Sequence, residues 1–581
     1  MKKRLLSVLI MFTLILAFPI QTFACTAIYV GSDLTEDGST IFGRVEDFYS
    51  ADWPKLYSAI PAGTHKAGDV YNGCYGFTWT FTHDSYSYTA FCDDISQGVC
   101  PDCGGTHVHT PYQAGGTNEK GLSVTATETL MENTSIKEAD PYPETGIEEA
   151  EITTLLLSEA ASAREAVELL ASVFDDAGAY GAGSVLIGDA KETWYIESLS
   201  GFQYAAVKLN AGMLFVVPNI SVIGLIDLDD TENIIASGNL IETAVTAGTF
   251  VGDKDENIID FSASYAVNYS DSSYSRLSAG LNYLNAGNNY PEHMEEADIE
   301  STSYSISNLD ADGNLVMPYT NIEADRPMGI SDVIGYFKTS PIGKARNAET
   351  HIFQISDDSP TGTVEWVAMA NSRYSAFVPY YPMLTTDVYP AYEKGSSLAE
   401  YVDEEPAEGT YFPSDDRFVL YPDGWQDSFY WTFAVLNHLA EADENKAAHI
   451  AEAMDNLQTE LYGEWEKERS AVAEAGEGAA SLATEGSAGM AELAYKAARQ
   501  LYLEYVPENS ARDAGTDQVP ASGETEIEET ETTETETAET ETSESQTGEA
   551  ETEVSGGLSP VLLTAFLVAA ACILLYFFKR K

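Results

Sequence analysis

Positive charge is what this chain has least of. Its 581 residues carry 29 Lys and Arg against 93 Asp and Glu, a formal net charge of -64. Phosphate backbones are held by clustered basic side chains, so a nucleic-acid partner is excluded. Several signatures of common enzyme classes are missing as well. There is no GxSxG elbow, no HExxH pair, no P-loop, and no GxGxxG between a strand and a helix. These absences remove the motif-bearing serine hydrolases, zinc proteases and nucleotide enzymes.

Long apolar runs are confined to the two ends. Lys2, Lys3 and Arg4 precede the run from Leu5 to Ile20, and Thr22-Phe23-Ala24 closes on a small residue. This reads as a secretory signal peptide over residues 1–24. Cleavage there would make Cys25 the first residue of the mature chain, with a thiol and a free α-amine on one residue. An α-amine titrates at about 7.7–8.0, so it can take the thiol proton at neutral pH. The rival role for Cys25 is lipidation. A lipobox usually has an aliphatic residue three before the Cys, where Thr22 stands, and a lipid would duplicate the anchor at the other end.

That anchor is the run from Leu558 to Phe578, long enough for one bilayer crossing of about 20 residues. Lys579-Arg580-Lys581 follow it and should stay cytoplasmic. Ahead of it, Ala521 to Val554 is mostly Glu and Thr with no Lys or Arg, a composition that stays extended and solvated. The expected order is therefore a signal peptide at 1–24 and a folded body at 25–506, helical from about 427. An acidic stalk at 507–556, a transmembrane anchor at 557–578 and a basic end at 579–581 complete it. The body would be displayed on the surface of a single-membrane bacterium, held to the membrane by the C-terminal helix.

The body reads as mixed α and β with antiparallel strands. Residues 26–30 read as a strand and 40–43 as a second, with Arg44 and Asp47 just beyond it. Residues 55–116 read as irregular, 152–174 as helical, 184–217 as a four-strand meander, 349–380 as a sheet region, and 428–505 as helices broken near Gly476 and Gly486. If the first two strands form a hairpin, Arg44 and Asp47 return to Cys25. A cation there favours thiolate, and a carboxylate can hold the α-amine by a charge-assisted hydrogen bond. On spacing alone, an i,i+3 surface pair is the simpler reading of these two. Cysteine is scarce, with six residues. Cys74, Cys92, Cys100 and Cys103 lie close together in an exported region, where disulfides are the first reading. Zinc held by Cys92, Cys100, Cys103 and His107 is the alternative. No other cofactor is expected.

Cys25-Thr26, Asp37-Gly38-Ser39 and Arg44-x-x-Asp47 together resemble the opening of the C69 dipeptidase family of cysteine N-terminal-nucleophile hydrolases. Asn118-Glu119-Lys120-Gly121-Leu122 with Thr127-Glu128-Thr129 is similar to that family's second block. Val217-Pro218-Asn219 and Tyr274-Ser275-Arg276 resemble blocks shared with bile-salt hydrolases and penicillin V acylases, and Glu349-Thr350-His351 through Trp366 and Pro379 resemble the dipeptidase branch. The resemblance implies an α+β fold: a four-layer αββα sandwich with the mature N-terminus at the end of a central strand, here with an added C-terminal helical region. It implies Cys25 as nucleophile with its own amine as base, Arg44 and Asp47 to tune and orient it, and Asn219 as an oxyanion donor. Arg276 would be a further polar wall. Where the acylase branch has a second Asn donor this chain has Glu128, so a backbone N–H near Thr127 is expected to serve, with both residues at the substrate. Small peptides are the implied substrates. Two other readings remain open, an amidase or acylase on small amides such as peptidoglycan fragments, and a non-enzymatic surface-binding protein.

Overall fold

The computed structural model describes residues 25–47, 53–94, 111–267, 271–291, 324–395, 400–402, 411–414 and 417–506. The signal-peptide, stalk and anchor segments lie outside the described residues, as do Cys100, Cys103 and His107. Among the described residues no helix is long and apolar enough to cross a membrane.

Strands β1 (Thr26–Val30) and β2 (Thr40–Asp47) form the expected antiparallel hairpin, with Thr26 opposite Val45 and Val30 opposite Ile41. The second strand does not stop at Gly43. It runs on through Arg44 to Asp47, so both residues lie within the strand and are buried, not paired on a surface. The ladder continues because a neighbour on the other side, Asn347–Ile355, pairs along its whole length. The charges that hide this strand from a hydrophobicity pattern have partners: Lys55 Nζ lies 2.6 Å from Glu46, and Asp47 is paired with Lys344 and accepts from Asn347 at 2.5 Å.

The next strands are β3 (Gly115–Thr117), β4 (Ser123–Thr129), β5 (Gly183–Gly188), β6 (Thr193–Ser198), β7 (Tyr204–Leu209), β8 (Leu214–Val217) and β9 (Ile234–Ala236). After them come β10 (Asn347–Ile355), β11 (Thr363–Met369) and β12 (Val378–Tyr380). They build two six-stranded sheets, ordered β8-β1-β2-β10-β11-β12 and β9-β7-β6-β5-β4-β3. The meander reading thus holds for β5, β6 and β7 but fails at β8, which leaves that sheet and pairs with β1. The segment from 55 to 116 is more regular than its sequence suggests, since Lys55–Ile60 pairs antiparallel with Tyr88–Asp93.

The sheets stack face to face. Tyr195 of β6 meets Phe215 of β8 edge-on with centroids 5.5 Å apart, and Thr125 of β4 reaches His351 of β10 at 2.8 Å. Helices α1 (Glu149–Glu159) and α2 (Ala163–Asp176) cover the second sheet. The continuous helical pattern over 152–174 is broken there because Ser162 caps α2, accepting from Glu165 N. Over the first sheet lie α3 (Asp271–Leu284), α4 (Ile330–Lys338), α5 (Phe429–Ala442), α6 (Glu444–Glu474) and α7 (Ala479–Leu503). The molecule is therefore the four-layer αββα sandwich with added C-terminal helices. Gly476 does interrupt the helices, but Gly486 sits inside α7. It lies beside the Glu468 carboxylate of α6 and is not a break.

Candidate active site

The site follows from the place of β1. It runs antiparallel to both neighbours, and Ala27 lies opposite Val217 on one side and Arg44 on the other. The start of β1 therefore meets the end of β2 and the Pro218-Asn219 turn after β8. Cys25, Arg44, Glu46 and Asp47 line one cavity of about 340 Å³, with Tyr112, Glu148 and Glu149 as further polar walls. Leu130, Ile147, Ile152, Phe174, Val185 and Ile196 supply an apolar side.

Arg44 is the hub. Its Nη2 donates to Cys25 Sγ at 3.2 Å, and both Nη atoms reach Tyr112 Oη at 3.1 Å. Nη1 also donates to the carbonyl oxygens of Ala114 and Ala126, on the facing sheet. Glu149 Oε1 lies 3.6 Å from Nη2 and accepts from Tyr112 Oη at 2.8 Å. Burial works against the guanidinium charge, but the neighbouring Cys25, Tyr112, Glu46 and Glu149 outweigh it and hold Arg44 well above its ordinary value. A permanent cation is thus fixed against the sulfur, an arrangement that favours thiolate.

Asp47 is held from the far side by Asn347 and by an ion pair with Lys344. Burial pulls Lys344 below its ordinary value against the attraction of Asp47. Arg276, on α3, lies beneath the nucleophile and does not line the cavity. Its Nη1 donates to Cys25 O and to Thr26 Oγ1 at 2.7 Å, and its Nη2 to Pro218 O at 3.1 Å and Asn219 Oδ1 at 3.0 Å. It is a brace, where the sequence reading made it a wall. Asn219 adopts φ 61, a left-handed conformation that asparagine tolerates better than most residues, and donates from Nδ2 to Thr129 O at 3.1 Å. Thr127 and Glu128 lie in β4, where the register with β5 shifts between Ala126 and Glu128. Thr127 is the extra residue of that bulge, and a bulge takes its residue's backbone out of the ladder.

Cys92 belongs elsewhere. It is buried in the strand 88–93 and makes no disulfide; burial, with Asp93 beside it, pushes its thiol up to about 12. The partners named for it in both readings, Cys100, Cys103 and His107, lie outside the described residues. Among the described residues no group of three His, Cys, Asp or Glu is arranged to hold a metal.

Sequence reasoning passed over Tyr112, Glu149, Lys344 and Asn347. None carries a motif. Only Glu149 had a local signal, the capping box formed by Glu148 and Glu151 at the start of α1.

The model of peptidase family C69 matches residues 24–406. "Probable dipeptidase B" of Streptococcus pyogenes serotype M1 is 28% identical over 484 residues, covering 80% of this chain and 88% of that protein. "Probable dipeptidase" of Salmonella dublin is 28% identical over 379 residues, covering 62% and 81%. "Probable dipeptidase B" of Lactococcus lactis is 24% identical over 492 residues, covering 82% and 94%. Among solved structures, a variant of the conjugated bile acid hydrolase from Clostridium perfringens aligns at 11% identity and a TM-score of 0.22, over 59% of this chain and 89% of that one.

Proposed function

The chain belongs to peptidase family C69, and from there we propose that it is a dipeptidase whose nucleophile is Cys25, exposed as an N-terminal residue when the signal peptide is cut. The observation that carries this reading is the Arg44 guanidinium 3.2 Å from Cys25 Sγ in a small cavity. Its volume is at the low end of ligand pockets, which run about 300–1,000 Å³, and suits a small substrate. The names of the relatives point the same way.

The α-amine of Cys25 takes the thiol proton, and the thiolate attacks the scissile carbonyl carbon. The carbonyl oxygen gathers negative charge, for which the family resemblance implies the Asn219 amide and a backbone N–H near Thr127 as donors. Collapse breaks the C–N bond, and the proton held by the α-amine goes to the leaving amine. A water then adds to the thioester carbonyl, giving its proton to the amine, and the acid leaves as Cys25 recovers its thiol. Asp47, fixed by Lys344 and Asn347, orients the ammonium form of that terminus. The stalk and anchor at 507–578 would display this unit outside the membrane.

The test is the mature protein itself. Intact mass and N-terminal sequencing should find an unmodified Cys25 first, and a panel of dipeptides should be cleaved by the wild type and not by Cys25→Ala of equal thermal stability. A diacylglyceryl mass on Cys25, or a folded wild type that cleaves no dipeptide, overturns the proposal.

A further inference from the structure

We propose that Glu149 receives the substrate's α-ammonium and so makes a free amino terminus the condition for hydrolysis, an inference that rests on the reading of Cys25 as the dipeptidase nucleophile. Glu149 is within reach of the reacting sulfur. Glu149 Oε1 lies 3.6 Å from Arg44 Nη2, and the same nitrogen lies 3.2 Å from Cys25 Sγ, so carboxylate and sulfur are no farther apart than those two legs together. In a dipeptide the α-nitrogen is two bonds from the scissile carbonyl carbon, about 2.5 Å away. That carbon must come within about 3–3.5 Å of the sulfur for attack. A charge-assisted hydrogen bond of about 2.8 Å then spans what is left between ammonium and carboxylate.

The other carboxylates of the cavity have different duties. Glu46 is paired with Lys55 at 2.6 Å and its side chain is 4% exposed; Asp47 is paired with Lys344 and is 1% exposed. Glu148 accepts from Ala150 N at 2.8 Å as the cap of α1. The Glu149 side chain is 28% exposed and lines the cavity. Arg44 is the one cationic side chain among the described residues lining it, against four carboxylates, and it is shared with the sulfur and Tyr112. With Glu46 and Asp47 paired to Lys55 and Lys344, an incoming ammonium adds a positive charge on the side of Glu148 and Glu149. An N-acylated peptide brings no positive charge there and places a bulkier group against Glu149.

The experiment compares a dipeptide with its N-acetyl derivative on the mature enzyme and on Glu149→Gln and Glu149→Asp. The wild type should favour the free amine. Glu149→Gln should lose about 100-fold in kcat/KM on the free dipeptide, mostly through KM, as for a charged hydrogen bond removed. The N-acetyl derivative should change only a few-fold, so the discrimination collapses, and Glu149→Asp should restore part of it. Because Glu149 also touches Arg44, the pH dependence of Cys25 alkylation is followed in the same variants and should keep its midpoint within a few tenths of a unit. Equal loss on both substrates, or discrimination retained in Glu149→Gln, overturns the inference while leaving the dipeptidase reading in place. A wild type that cleaves neither compound overturns that reading and the inference with it.

Discussion

A sulfur and a guanidinium 3.2 Å apart settle most of what happens at the scale of single residues. Arg44 cannot lose its proton, so it stabilises the thiolate at every working pH. Replacing it by Gln should move the midpoint of Cys25 alkylation upward by about 1–3 pH units, the usual effect of one adjacent opposite charge. Arg44→Lys should fall between, since a point charge cannot bond Sγ, Tyr112 and the facing carbonyls together. Iodoacetamide reaction rates against pH measure both. An unmoved midpoint in Arg44→Gln would mean the sulfur does not depend on this cation. Cys25 could be picked out from the signal-peptide cut, but Arg44 and Asp47 only through the family resemblance, since their spacing alone reads as a surface pair. Tyr112 and Glu149 could not, because only the stacking of the two sheets brings them to Arg44, and Lys344 could not, because only the pairing of β10 with β2 brings it to Asp47.

At the scale of elements, the site depends on how closely β2 and β10 approach. Gly43 is opposite Ile28 on one side and Ile352 on the other, and a Cβ there would strike His351 O and come within 2.8 Å of Ile352 Cα. Gly43→Ala should cost about 1–3 kcal/mol, as overpacking of a core does, read as a lower denaturation midpoint. Activity should fall with it, because the adjoining residue is Arg44. A second element-scale device is Glu365 on β11, which accepts from Thr89 Oγ1 at 2.6 Å and Tyr57 Oη at 3.1 Å and so ties the strands at 55–60 and 88–93 to the first sheet. Burial raises its pKa from 4.5 to about 8. Between those values the folded protein keeps a proton that the unfolded chain has released. Its stabilising contribution is therefore complete below about pH 4.5 and is lost as pH rises through about 8, by about 1.4 kcal/mol per unit. Glu365→Gln should flatten the fall in melting temperature between pH 5 and 8; an unchanged slope would show that Glu365 is ionised throughout. Strand positions were mostly visible as runs of β-branched and aromatic residues. What stayed hidden was β8, because four successive strands look alike in sequence whether the last closes the meander or crosses to the other sheet. Buried charge also hid the last half of β2.

At the scale of the whole molecule the question is where the folded unit ends. The family match stops at residue 406, which would make α5, α6 and α7 dispensable. The packing says otherwise. Trp366 of β11 lies edge-on to Trp465 and Tyr462 of α6, at 5.0 and 5.5 Å between ring centroids. Gln458 of α6 accepts from Phe377 N at 2.7 Å and donates to Phe377 O at 3.1 Å, and so pairs the backbone just before the edge strand β12. Phe429, Trp431, Phe433 and Leu436 of α5 are all buried. Each large apolar side chain uncovered by removing these helices forfeits about 1.5–3 kcal/mol, and a handful of them equals the whole stability of an ordinary domain, about 5–15 kcal/mol. A chain ending at residue 426 should therefore fail to fold, seen as aggregation on expression or loss of a cooperative melt. One running from Cys25 to Val506 should keep full dipeptide hydrolysis and the melting temperature of the longer protein. It should also move from the membrane fraction to the supernatant if the segment at 557–578 is the anchor. A soluble, active product ending at 426 would show that the helices lie on the sheet without holding it together.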